Sequence, residues 1–70
     1  MNAPKYVEIV EHPQRMQKFT VWLHDYSHVN PDCQHVCCGF RETEAEALKL
    51  VRGSQKTKFL EVRRNCRSRL

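Results

Sequence analysis

What most constrains this chain is a change of hydrophobic period at Thr43. Before it, apolar residues alternate along three stretches. From Thr43 to Gly53 they fall at helical spacing, and alternation then returns. The first stretch, KYVEIVEH, sets Val7 and Ile9 on one side and Tyr6, Glu8 and Val10 on the other. Pro13 breaks it, and PQRMQ reads as a turn. The second, KFTVWLHDY, puts Phe19, Val21 and Leu23 on one face and Lys18, Thr20, Trp22 and His24 on the other. Its β-branched and aromatic residues suit a pleated, half-buried surface. Val29-Asn30-Pro31-Asp32 is a turn, since Pro31 presets φ while Asn30 and Asp32 tolerate turn geometry. HVCCGFRE then reads as a third strand, with Val36, Cys38 and Phe40 on one face and His35, Cys37 and Arg41 on the other.

Thr43-Glu44-Ala45-Glu46 is a capping box, in which hydroxyl and carboxylate satisfy each other's backbone donors. Ala47, Leu48 and Val51, with Leu50 beside them, make a narrow apolar stripe. Acidic residues open this helix and Lys49 and Arg52 close it, which complements its dipole. Gly53 stands where a left-handed cap belongs. KFLEVRRN reads as a last strand, with Leu60 and Val62 on one face and Phe59, Glu61 and Arg63 on the other. The order β-β-β-α-β predicts a small α+β fold. It is a two-layer sandwich, an antiparallel sheet of three to four strands with one short helix across one face. The expected core is Val7, Ile9, Phe19, Val21, Leu23, Val36, Cys38, Phe40, Leu48, Val51, Leu60 and Val62. Residues 1–62 form one domain in this reading, and 63–70 a basic, fraying end.

A chain of 70 residues buries only about 60% of its unfolded surface, so a disulfide, a metal or a partner is a common supplement. No apolar run is long enough to cross a membrane. The segment MNAPKYVEIVEH lacks the basic flank and apolar core of a secretory signal. A reducing, cytoplasmic setting follows as the expectation, with the four cysteines as thiols or ligands rather than disulfides. The net charge of +4 is polarised: residues 1–48 carry −3 and residues 49–70 carry +7. Such a chain suits an anionic partner or an acidic protein surface, although a basic end is also an ordinary solvated tail.

Residues 24–38, HDYSHVNPDCQHVCC, hold three of the four histidines and three of the four cysteines. As a metal site the ligands would be His24, His28, Cys33 and Cys37, a set that takes zinc in a tetrahedron. Two features argue against it. A continuing strand would separate His24 from His28 by about 13 Å, and the gap between the pairs is shorter than finger spacing. The reading we prefer is a polar hairpin loop, with no cofactor. Catalysis is not expected either. His24-Asp25 resembles the adjacent pair of metal phosphohydrolases, but those need ligands on several helices. Cys33 or Cys37 beside His35 would need a water-excluding pocket and an oxyanion donor. With Gly39 and Gly53 the only glycines, there is no phosphate-cradling loop.

Two binding functions remain. The preferred one is a small non-enzymatic adaptor or inhibitor that docks on a larger protein, of the kind bacteriophages and mobile elements encode. Its anchors would be Trp22 and Tyr26, or its acidic patch Glu42, Glu44 and Glu46. The alternative is nucleic-acid binding by an open sheet face bearing Tyr6, Lys18, Thr20, Trp22, His24, His35, Arg41, Phe59 and Arg63. Arg63, Arg64, Arg67 and Arg69 would follow phosphates. Three strands followed by a helix is similar in outline to the sheet-reading DNA-binding domains of some integrases, without a shared motif. A homodimer through a sheet edge is a further expectation.

Overall fold

The computed structural model describes residues 5–66. Its elements are β1 (Lys5–Glu11), β2 (Phe19–Asp25), a single 3-10 turn (Pro31–Cys33), β3 (His35–Arg41), α1 (Glu44–Gly53) and β4 (Val62–Cys66). The four strands form one sheet in the order β3-β2-β1-β4, with α1 against β2 and β3. The small α+β fold expected from the change of period is therefore present. One pair departs from the antiparallel expectation: β4 runs parallel to β1. The connection from β3 to β4 contains the helix and carries the chain from one edge of the sheet to the other. A helix-bearing crossover is what lets a strand return in parallel.

The helix-covered face follows the alternation. Val7 opposes Leu23 and Val62, and Ile9 opposes Val21. Val7, Ile9 and Val21 pack with Ala47 and Val51 of the helix, and Phe19, Leu23, Leu48, Leu50, Leu60 and Val62 close around them. Thr57 ties the segment after the helix to this core, its hydroxyl donating to the Val51 carbonyl at 2.7 Å. At the start of α1, the Thr43 hydroxyl oxygen accepts from the Glu46 N–H at 3.2 Å and the hydroxyl donates to the Glu46 carboxylate at 3.1 Å. The cap forms, but the carboxylate meets the hydroxyl rather than a backbone donor.

Three local expectations are corrected. First, β3 carries a bulge: Gly39 pairs with Val21 and Cys37 with Trp22, leaving Cys38 as the extra residue. One inserted residue reverses every later side chain. Phe40 thus joins the open face at 43% exposed, Val36 stays on the helix side but half exposed, and neither they nor the exposed Cys38 are core. Arg41 moves to the helix side, beside Glu46, Lys49 and Leu50. Second, Gly53 is the last helical residue and has no positive φ, and Ser54 caps the helix in an extended conformation. The glycine with a required conformation is Gly39, at φ 153°, where a Cβ would meet Leu50 Cδ2 at 3.2 Å. Third, β4 starts only at Val62: Lys58 and Phe59 are turn and Leu60 a bend, so Phe59 is 86% exposed instead of lying on the sheet. β4 then runs from Val62 to Cys66.

Candidate functional site

The face away from the helix is built from the alternate residues of the same strands. Across β1 and β2, Tyr6 opposes His24, Glu8 opposes Trp22 and Val10 opposes Thr20. On β4, Arg63 lies beside Glu8 and Asn65 beside Val10. On β3, His35 lies opposite His24, Cys37 opposite Trp22 and Phe40 opposite Thr20.

A hydrogen-bonded chain runs across this face through all four strands. Asn65 Nδ2 donates to Glu8 Oε2 at 3.1 Å, and His24 Nε2 lies 2.8 Å from Glu8 Oε1. His24 Nδ1 in turn lies 2.8 Å from His35 Nδ1. The geometry assigns the protons of the neutral pair. Facing a carboxylate, His24 Nε2 carries hydrogen and donates, which leaves Nδ1 with a lone pair. His35 must then donate from its own Nδ1, so its Nε2 is left as a lone pair. His24 is buried. Its ring stacks on Tyr6 at 4.6 Å between centroids, Tyr26 lies nearly parallel to it at 6.1 Å, and His35 meets it edge-on. The Arg63 guanidinium sits 4.0 Å over the Tyr6 ring and pairs with Glu61 at 3.1 Å. That carboxylate holds Arg63 more firmly protonated than a free guanidinium. A hydrogen bond with Tyr6 pushes the Tyr26 phenol above its ordinary range.

Beside this chain lies a cleft of about 420 Å³, lined by Glu8, Val10, His12, Arg15, Thr20, Trp22, His24, His35 and Phe40. The loop between β1 and β2 supplies His12 and Arg15, while the strands supply the floor. Val10 and Thr20 are buried there, each 2% exposed. Among the described residues the Thr20 hydroxyl has no hydrogen-bond partner. A neighbouring depression, lined by Arg15, Met16, Gln17, Phe40 and Glu42, extends the cleft past Phe40.

The structure distributes the residues singled out in the sequence. Trp22 lines the cleft; Tyr26 is exposed beside the histidine pair, and Lys18 is exposed just before β2. Arg63 is on the open face. Arg64 points to the other side and pairs with Glu44 at the helix start, 2.6 Å away. Arg41 is on the helix side, and Arg67 and Arg69 lie outside the described residues.

Of the four zinc candidates, His24 and Cys37 are on the open face. His28 and Cys33 line a separate depression with Leu23, Val36 and Lys56. Among the described residues, no group of three or more His, Cys, Asp or Glu side chains is placed to hold a metal ion. The four cysteines are unpaired. Partial desolvation, with Cys37 adjacent, pushes the Cys38 thiol up.

Glu8 is the member of the site that the alternation places beside Tyr6 and Val10 without giving it a role. One signal was available. His24 and His35 flank the Val29–Asp32 turn, and hairpin pairing can bring such residues opposite one another.

Comparison with protein families, with characterised proteins and with solved structures gives no match.

Proposed function

We propose that this chain is a small non-enzymatic binding module, an adaptor or inhibitor that docks on a larger protein through its open sheet face. The observation that carries this reading is the floor of the cleft, where a buried Thr20 hydroxyl lacks a partner between half-buried Trp22 and exposed Phe40. An unpaired buried hydroxyl costs about 1–3 kcal/mol, and an occupant with a polar atom recovers it. Aromatic side chains around such a spot are the usual anchors of a protein interface. Four free thiols fit work in a reducing compartment.

The nucleic-acid reading draws on Trp22, Lys18 and Arg63. It is weakened because Arg63 and Arg64 each already meet a glutamate, on opposite sides of the sheet. Two paired cations facing apart do not make a phosphate track.

The test is capture from cell lysate on immobilised protein, with and without nuclease, comparing wild type with Phe40→Ser. A discrete protein that survives nuclease and is lost with Phe40→Ser supports docking through this face. Material that vanishes with nuclease supports the alternative, and capture indifferent to Phe40 rejects the face.

A further inference from the structure

We propose that the cleft seats a carboxylate from an acidic segment of the partner, and that seating it draws one proton onto the His24–His35 pair. This rests on the reading of the open face as a protein-docking surface.

The cleft is rich in donors. Arg15 and Trp22 are donor-only side chains, and the Thr20 hydroxyl has a hydrogen to give and no partner. The one carboxylate in the lining, Glu8, already accepts on both oxygens, from His24 and from Asn65. Donors therefore outnumber acceptors in the lining, where the neutral pair offers a lone pair only at His35 Nε2. A single exposed guanidinium beside a small cleft suits one carboxylate better than a run of phosphates.

The proton follows from the geometry of the imidazoles. The pair has four ring nitrogens, and the neutral pair holds two hydrogens: one faces Glu8 and one lies between the two Nδ1 atoms. A third hydrogen settles on His35 Nε2 without disturbing either bond. It turns the acceptor at that position into a donor and adds one positive charge to the cleft. A fourth would put two hydrogens between nitrogens 2.8 Å apart and break the pair. One proton is thus the natural increment.

The groups around the pair come from every neighbouring strand. β1 presents Glu8, which favours the imidazolium, and the stacked Tyr6. β4 presents Arg63, which opposes it and is itself paired with Glu61. Tyr26 follows β2, and Cys37 shares the face on β3. His12 and Arg15 belong to the loop, and Glu42 lies beyond Phe40 in the adjoining depression. With Glu8 ionised, Arg15 charged and the imidazoles neutral, the lining carries no net charge; with one more proton it carries one positive charge. Anion binding and proton uptake must then strengthen each other.

Trp22, the only tryptophan of the chain, reports the test. The full chain is titrated with a tryptophan-free, glutamate-rich peptide at pH 5.8 and 7.8. Histidine side chains titrate between these pH values while glutamates stay ionised. We expect saturable quenching with roughly fivefold tighter binding at pH 5.8. Calorimetry of wild-type protein in buffers of different ionisation enthalpy should show net proton uptake on binding. His35→Gln should flatten the pH dependence, and Arg15→Gln should weaken binding at both pH values.

Equal affinity at the two pH values, or no proton uptake, overturns the coupling. Tighter binding of oligothymidylate or inorganic phosphate than of the peptide overturns the carboxylate assignment. No quenching by any probe overturns the site. If that happens while Phe40→Ser still abolishes protein capture, the docking reading survives without this inference. If capture ignores Phe40, the docking reading falls by itself.

Discussion

The two faces of one sheet have opposite characters. The side under α1 carries Val7, Ile9 and Val21, sealed by Ala47 and Val51, and the buried Thr57 hydroxyl there is hydrogen-bonded to the Val51 carbonyl. The other side buries Val10 as well, but beside it lie an unpartnered hydroxyl, a carboxylate and two imidazoles. The same strands build both, so strand propensity does not explain the difference. The helix does: it finishes the hydrophobic layer on one side, and the β1–β2 loop covers the other only in part.

Substitutions can break this contrast. The largest effect should come from the sealed face. Val7→Ala removes a fully buried side chain and should cost about 2–3 kcal/mol in urea unfolding. A matching loss from Val36→Ala, which is half exposed, would mean that the sealed layer reaches further than its burial shows.

Gly39→Val tests the bulge that divides β3 between the faces. Its positive φ and the close approach of Leu50 make a side chain there cost about 1–3 kcal/mol. Thermal unfolding that leaves stability unchanged would show the bulge is not held in this form.

Thr20→Val is the sharpest comparison, because the two readouts should move in opposite directions. Removing an unsatisfied buried hydroxyl should raise stability by about 1 kcal/mol. The same change should weaken partner capture. If Thr20→Val destabilises, the hydroxyl has a partner in solution and the cleft floor is ordinary core.

The smallest effect lies at the rim. A hydrogen bond from Ser27, first the side chain and then the backbone, holds the Asp25 carboxyl below its ordinary range, and Lys5 adds to this. A lowered folded-state value contributes stability that is present above the unfolded value. That stability is lost as pH falls through the acidic range. In a carboxyl NMR titration, Ser27→Ala should move Asp25 upward, with little change in stability at neutral pH because the Ser27–Asp25 bond is exposed.

The structure was legible in the sequence wherever the controlling interactions are local. The alternation of Val7 and Ile9, and of Phe19, Val21 and Leu23, needs only the period of a strand. The Thr43 cap and the stripe from Ala47 to Val51 need only one helical turn. These features followed from neighbours a few residues apart.

Other features depended on partners far along the chain. Whether Cys38 is inserted or paired is settled by β2, and that choice sends Phe40 to the open face and Arg41 to the helix side. Whether β4 runs parallel is settled by where the helix delivers it. The site is the clearest case: Glu8, His24, His35 and Asn65 come from four strands and meet only when register is fixed. The crowding of histidine and cysteine drew attention to the hairpin, but the carboxylate that orients His24 lies on the preceding strand. Residue type and local period are written in the chain. Register, bulges and strand direction are long-range choices, made by which packing buries the most apolar surface with its polar groups paired, and they decided this cleft.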